Sequence, residues 1–145
     1  RFPPKIDEAP QIRGAFLWAN LPHGLFLPQP SLPPMTQETW FVFNPISGVL
    51  SPSRKQALLR FIEAQPGARL VFTQRAGHGT ELASQAAREG VRAVVAIGGD
   101  GTVNEVARGL LGSQVALGIV PVGSGNGLAR QLRLPLGIDA SVRFA

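Results

Sequence analysis

Cysteine is absent from the 145 residues, which excludes disulfides and thiolate metal sites and leaves nothing to indicate an oxidising compartment. The two histidines, His23 and His78, cannot by themselves complete a zinc site. No apolar run is long enough to span a membrane, since the most apolar early segment, 15–27, is interrupted by Asn20, Pro22 and His23. A soluble protein is expected. No basic stretch is interleaved with stacking aromatics, so nucleic acid is not an expected partner. Internal repeats are also lacking. The chain has no initiator methionine, from which we expect a piece of a longer protein, compatible with a removed targeting segment.

What is present is unevenly distributed. Of the 13 prolines, those at 3, 4, 10, 22, 28, 30, 33 and 34 crowd the first 38 residues, where they remove backbone donors and bias their predecessors to extended conformations. Phe16, Leu17, Trp18, Leu25, Phe26 and Leu27 are too apolar for a solvated linker, so residues 1–38 are expected to form an extended arm, partly docked on the domain or on a partner. Arg1, Lys5 and Arg13 balance Asp7, Glu8 and Glu38, so the whole net charge of +5 falls after Glu38. A field of that sign favours polyanionic ligands or an anionic lipid surface, although charges this scattered equally describe a solvated basic surface. The remaining 39–145 are long enough for one core.

One stretch organises that domain. Val94, Val95, Ala96 and Ile97 form an apolar run suited to a strand buried on both faces of a parallel sheet. After Gly98-Gly99-Asp100-Gly101, the apolar residues Val103, Val106, Ala107 and Leu110 recur with helical spacing. A strand, a glycine turn and a helix in this order make an anion site, because the first turn of a helix leaves N–H groups unpaired at the positive end of its dipole. Asp100 is then unusual. An acid beside a phosphate is repulsive unless it holds Mg²⁺ or accepts a proton from the attacking group. Asp-Gly is also a hairpin signal, but the helical period that follows leaves no second strand.

The same alternation runs along the rest of the domain. A strand at 40–43 leads into Asn44-Pro45-Ile46-Ser47-Gly48, and Ser51-Pro52 opens a helix with Leu58, Phe61 and Ile62 on one face. A strand at 70–73 precedes a helix over 80–89 with Leu82, Ala83, Ala86 and Ala87 inward. His78, between Gly77 and Gly79, reads as a turn residue bonding locally; a catalytic base there would lack a neighbouring nucleophile. A buried strand over 115–120 precedes a second glycine turn, 123–127, and a helix with Leu128, Ala129 and Leu132 inward, ended by Pro135. The pattern predicts an α/β domain with a doubly wound, three-layer parallel sheet, its strand order unspecified. Two glycine turns at one sheet edge would grip a phosphate chain from both sides.

Taken together, Asn44-Pro45-x-Ser47-Gly48, Gly98-Gly99-Asp100-Gly101-Thr102-Val103-Asn104-Glu105 and Pro121-Val122-Gly123-Ser124-Gly125-Asn126 resemble the catalytic domain of diacylglycerol and sphingosine kinases and their bacterial lipid-kinase relatives. His78-Gly79-Thr80-Glu81-Leu82-Ala83 is similar to a further segment of that family. The Gly-Gly-Asp-Gly element alone is shared with NAD kinases and phosphofructokinases, which leaves an NAD kinase or a non-catalytic nucleotide-binding module as alternatives. The resemblance implies a lipid kinase that transfers the γ-phosphoryl group of ATP to a diacylglycerol or sphingoid hydroxyl. ATP would lie along Asn44, Ser47, Gly48 and Thr73, then Gly98, Gly99, Gly101 and Thr102, with Glu105 nearby and Gly123, Ser124, Gly125 and Asn126 closing the site. Asp100 would bind Mg²⁺ or act as the base. The expected partners are a nucleotide and a lipid at a membrane surface, with a cytoplasmic, peripherally membrane-associated location and self-association compatible. Ser124 and Gly127 stand where many diacylglycerol kinases carry Thr and Asp, whereas Gly98 and Thr102 look bacterial. The family also implies a following, mostly β, lipid-holding domain outside these residues, without which the nucleotide domain is expected to be inactive.

Overall fold

Side chains alternate across each strand, and that alternation places a separate core on either face of the sheet. In β1 (Thr39–Phe43), Trp40 and Val42 point one way and Phe41 and Phe43 the other. The computed structural model describes residues 35–48 and 50–135. After β1 come α1 (Pro52–Glu63), β2 (Ala68–Phe72), α2 (His78–Glu89), β3 (Ala93–Gly98), α3 (Asp100–Gly109), β4 (Ala116–Pro121) and α4 (Gly127–Gln131). The four strands are parallel and flanked by helices, as the three-layer, doubly wound expectation has it, and they run in the order β2-β1-β3-β4, which the sequence left unspecified. Every residue of β3 is buried, which explains its unbroken apolar run.

On one face, Leu58 and Ile62 of α1 meet Phe41, Phe43, Val95, Ile97, Val120 and Val122. On the other, Ala83 and Ala86 of α2 and Val103 and Val106 of α3 cover Trp40, Val42, Val94 and Ala96. Helices α2 and α3 touch closely. Thr80 Oγ1 donates to the Glu105 carbonyl at 2.9 Å and Ser84 Oγ to that of Gly109 at 3.3 Å.

The outer elements correct several expectations. Phe61 is 42% exposed, since it sits one position round α1 from Ile62 and at the rim of the packed face. Helix α2 begins at His78, two residues before the expected 80, and Leu82 and Ala87 only partly reach the core. β4 is an edge strand of the described sheet, so Ala116 and Leu117 are exposed and burial begins only at Ile119. Only Ala129 of α4 is buried, with Leu128 39% and Leu132 55% exposed; five residues give too short a helix to present a stripe, and Arg133 at φ 55° closes it. The arm expected over 1–38 lies outside the described residues as far as 34. Residues 36 and 38 join the domain by main-chain bonds, Thr36 N–H to the Gly90 carbonyl at 2.8 Å and Arg92 N–H to that of Glu38 at 2.9 Å. Among the described residues no helix is long and apolar enough to cross a membrane.

Candidate functional site

The strand order places the site. The chain moves outward from β1 to β2, then crosses back to β3, so the crossover direction reverses between β1 and β3, and ligands of open α/β sheets bind in the crevice at the carboxyl ends of such a pair. Phe43 is in register with Ile97, and Gly98 with Pro121, so β1, β3 and β4 deliver their following turns to one edge.

The first turn is tied to the second by Asn44. Its main-chain N–H donates to the Ile97 carbonyl at 3.1 Å and its Nδ2 to Thr102 Oγ1 at 3.2 Å. Its Oδ1 accepts the Ile46 N–H at 3.0 Å, and its carbonyl accepts Ser47 Oγ at 2.9 Å, which shapes the turn locally. Gly48 has φ +105°, and a Cβ there would run into the Val122 carbonyl, so the position demands glycine both for conformation and for space.

The second and third turns abut. The Gly98 carbonyl accepts the Val122 N–H at 3.0 Å, and a Cβ on Gly123 would fall 2.5 Å from Gly99 Cα. Asp100 opens α3 and reaches across to α4, where its Oδ2 accepts the Gly127 N–H at 2.9 Å and its Oδ1 the Leu128 N–H at 3.1 Å. Those two bonds hold its carboxyl below the ordinary aspartate range, although the side chain is exposed. Asn126 adopts the left-handed conformation at φ 51° and donates from Nδ2 to the Gly123 carbonyl at 2.7 Å, while its Oδ1 is buried and has no protein partner. Ser124 and Gly125 are exposed, with Arg130 Nε bonded to the Gly125 carbonyl at 2.9 Å.

A cleft of about 380 Å³ lies beside these turns, lined by Asn44, Ser47, Thr73, Gly99, Gly101, Thr102 and Glu105. No side chain caps α3, so its first-turn N–H groups are available to an anion. Asp100 and the 123–126 turn flank this cleft, beyond Gly99, and Gly48 and Gly98 support it without lining it. Glu105 is a buckle: Oε1 accepts the Gly77 N–H at 2.9 Å and Oε2 the Gly79 N–H at 3.0 Å. His78 bonds locally, its Nδ1 accepting the Gln74 N–H at 3.1 Å. Sequence reading missed Ile46, Gln74, Arg75 and Ala76 as further lining residues; the only signal was their position after strands whose ends already carried candidates.

A parallel sheet with a switch-point crevice bordered by glycine turns and an uncapped helix start is an α/β domain of the kind whose ligands bind at the carboxyl ends of the strands. Comparison with known proteins identifies which. The diacylglycerol kinase catalytic domain matches residues 38–144, and the chain belongs to that family. It is 40% identical over 102 residues to a probable lipid kinase YegS-like protein of Chromohalobacter salexigens, covering 68% of this chain and 32% of that protein. It is 38% identical over 98 residues to a diacylglycerol kinase of Bacillus subtilis, covering 65% and 32%. The crystal structure of a putative diacylglycerol kinase from Bacillus anthracis superposes with a TM-score of 0.64 at 26% identity, over 74% of this chain and 40% of that one. The chain thus spans about a third of the length of these curated relatives.

Proposed function

We propose that this chain is the nucleotide-binding part of a lipid kinase, a protein that transfers the γ-phosphoryl group of ATP to a lipid hydroxyl of diacylglycerol or sphingoid type at a membrane surface. One observation carries the reading: three turns far apart in the sequence, 44–48, 98–102 and 123–126, converge on one switch-point crevice. Phosphoryl transfer rests mainly on positioning and charge neutralisation, which suits turns built from glycine and backbone N–H groups. Gly99, Gly101 and Thr102 meet the phosphates, and Asn44, Ser47 and Thr73 form the walls. Glu105 acts on the nucleotide indirectly, by fixing the 77–79 backbone.

Among the described residues no group of three or more His, Asp and Glu side chains could hold a metal ion. Asp100 would be the residue to hold Mg²⁺, which when bound would supply neutralisation of charge on the transferring group. The lowered carboxyl of Asp100 keeps it ionised, as a metal-holding carboxylate must be, and reduces its affinity for a proton. Incubating the full-length protein with ATP, Mg²⁺ and a panel of lipids tests the reading, and the absence of phosphorylated product from every lipid would sink it.

A nucleotide-binding module without catalysis is favoured by one feature, the engagement of both Asp100 oxygens by α4. Asp100→Asn in the full-length protein separates the two. A kinase is expected to lose turnover by about a hundredfold or more with its fold intact. A pure binder keeps its nucleotide affinity apart from the Mg²⁺ dependence.

A further inference from the structure

Among the residues lining the cleft two side chains carry charge, Glu105 and Arg75. The carboxylate of Glu105 is engaged by the Gly77 and Gly79 N–H groups. Among the described residues the Arg75 guanidinium is held by Glu81 alone, its Nη1 donating to Oε1 at 2.8 Å and its Nη2 to Oε2 at 2.7 Å. Both side chains stand in solvent, at 62% and 54% exposure, where an ion pair contributes little and exchanges readily. The fork that matches two carboxylate oxygens matches two phosphate oxygens equally well. Its base is fixed, since the Gln74 N–H donates to His78 Nδ1 and Glu105 pins the backbone at 77 and 79. The side chain can change partner while the loop stays in place.

We infer that Arg75 is an anion-binding residue of this cleft, released from Glu81 by a nucleoside polyphosphate whose phosphates take over its guanidinium. The inference rests on the nucleotide reading above and adds to it a selectivity for the phosphate chain over the nucleoside. Glu81 acts as a stand-in anion that keeps the guanidinium at the mouth of the cleft until a ligand displaces it. The glycine turns supply only partial charges, so Arg75 is the full positive charge at this wall.

Calorimetric titration of the chain with ATP, ADP and adenosine at constant Mg²⁺ tests this. Arg75→Ala is expected to weaken ATP binding by about tenfold or more, the loss of a charge-assisted pair of hydrogen bonds, and to change adenosine binding by less than about twofold. Glu81→Gln removes the competitor and is expected to tighten ATP binding, and Arg75→Lys, which keeps the charge and loses the fork, falls between Ala and the unaltered chain. Opposite signs for the two partners distinguish a ligand-exchanged latch from a structural ion pair, whose loss from either side acts alike. Unchanged ATP affinity in Arg75→Ala, or weakening in both Arg75→Ala and Glu81→Gln, would overturn the inference alone. No ATP binding by the unaltered chain would overturn the nucleotide reading and this inference with it.

Discussion

Asp100 accepts one backbone N–H on each carboxylate oxygen, and the physical result is a residue that joins the start of α3 to the start of α4. Its folded pKa lies below its unfolded value, with the bond from Gly127 the larger cause and that from Leu128 the second. The stabilisation is therefore present above the unfolded pKa and is lost as pH falls through the folded one. Urea midpoints measured from about pH 7 down to about pH 3 should show Asp100→Asn less stable at neutrality, with the difference closing in acid. A difference independent of pH would show that the two bonds do not select the ionised form. Asn44 is a second residue whose role lies in its partners, since its amide serves Thr102 and its own turn together.

Between elements, Glu105 links α3 to the loop that opens α2, and Thr80 reinforces the same junction through the Glu105 carbonyl. Removing the carboxylate leaves two part-buried N–H groups without their acceptor. Glu105→Ala should cost about 1–3 kcal/mol by chemical denaturation, and hydrogen exchange should accelerate at Gly77 and Gly79 before it does in β3. Unchanged exchange at those two amides would refute the buckle. The helix itself was legible, because Val103 and Val106 keep the 3.6-residue period and both are buried. The inner face of short α4 was not, since Leu128 and Leu132 satisfy the same period in a segment with too few residues to bury them. Period alone carries no information about whether a second layer covers the face.

For the molecule as a whole, β3 is the shared wall of both cores, presenting Val94 and Ala96 to α2 and α3 and Val95 and Ile97 to the α1 side. The two faces should therefore unfold together. Ile62→Ala, which empties a fully buried position on the α1 face, should cost about 2–5 kcal/mol and keep a single transition by all probes, including the environment of Trp40 on the opposite face. Two separated transitions would show independent cores. The sequence by itself determined the alternation of strands and helices, the glycine turns and the family they resemble, because strand pleat, helical period and turn chemistry depend on neighbours a few residues apart. It could not determine the order β2-β1-β3-β4, which depends on how crossover helices pack, nor the pairs that order creates: Asn44 with Thr102, Asp100 with Gly127 and Leu128, Glu105 with Gly77 and Gly79. Those contacts join residues tens of positions apart, so only the folded sheet, by aligning the ends of β1, β3 and β4, decides which polar atoms meet and which stay open to a ligand.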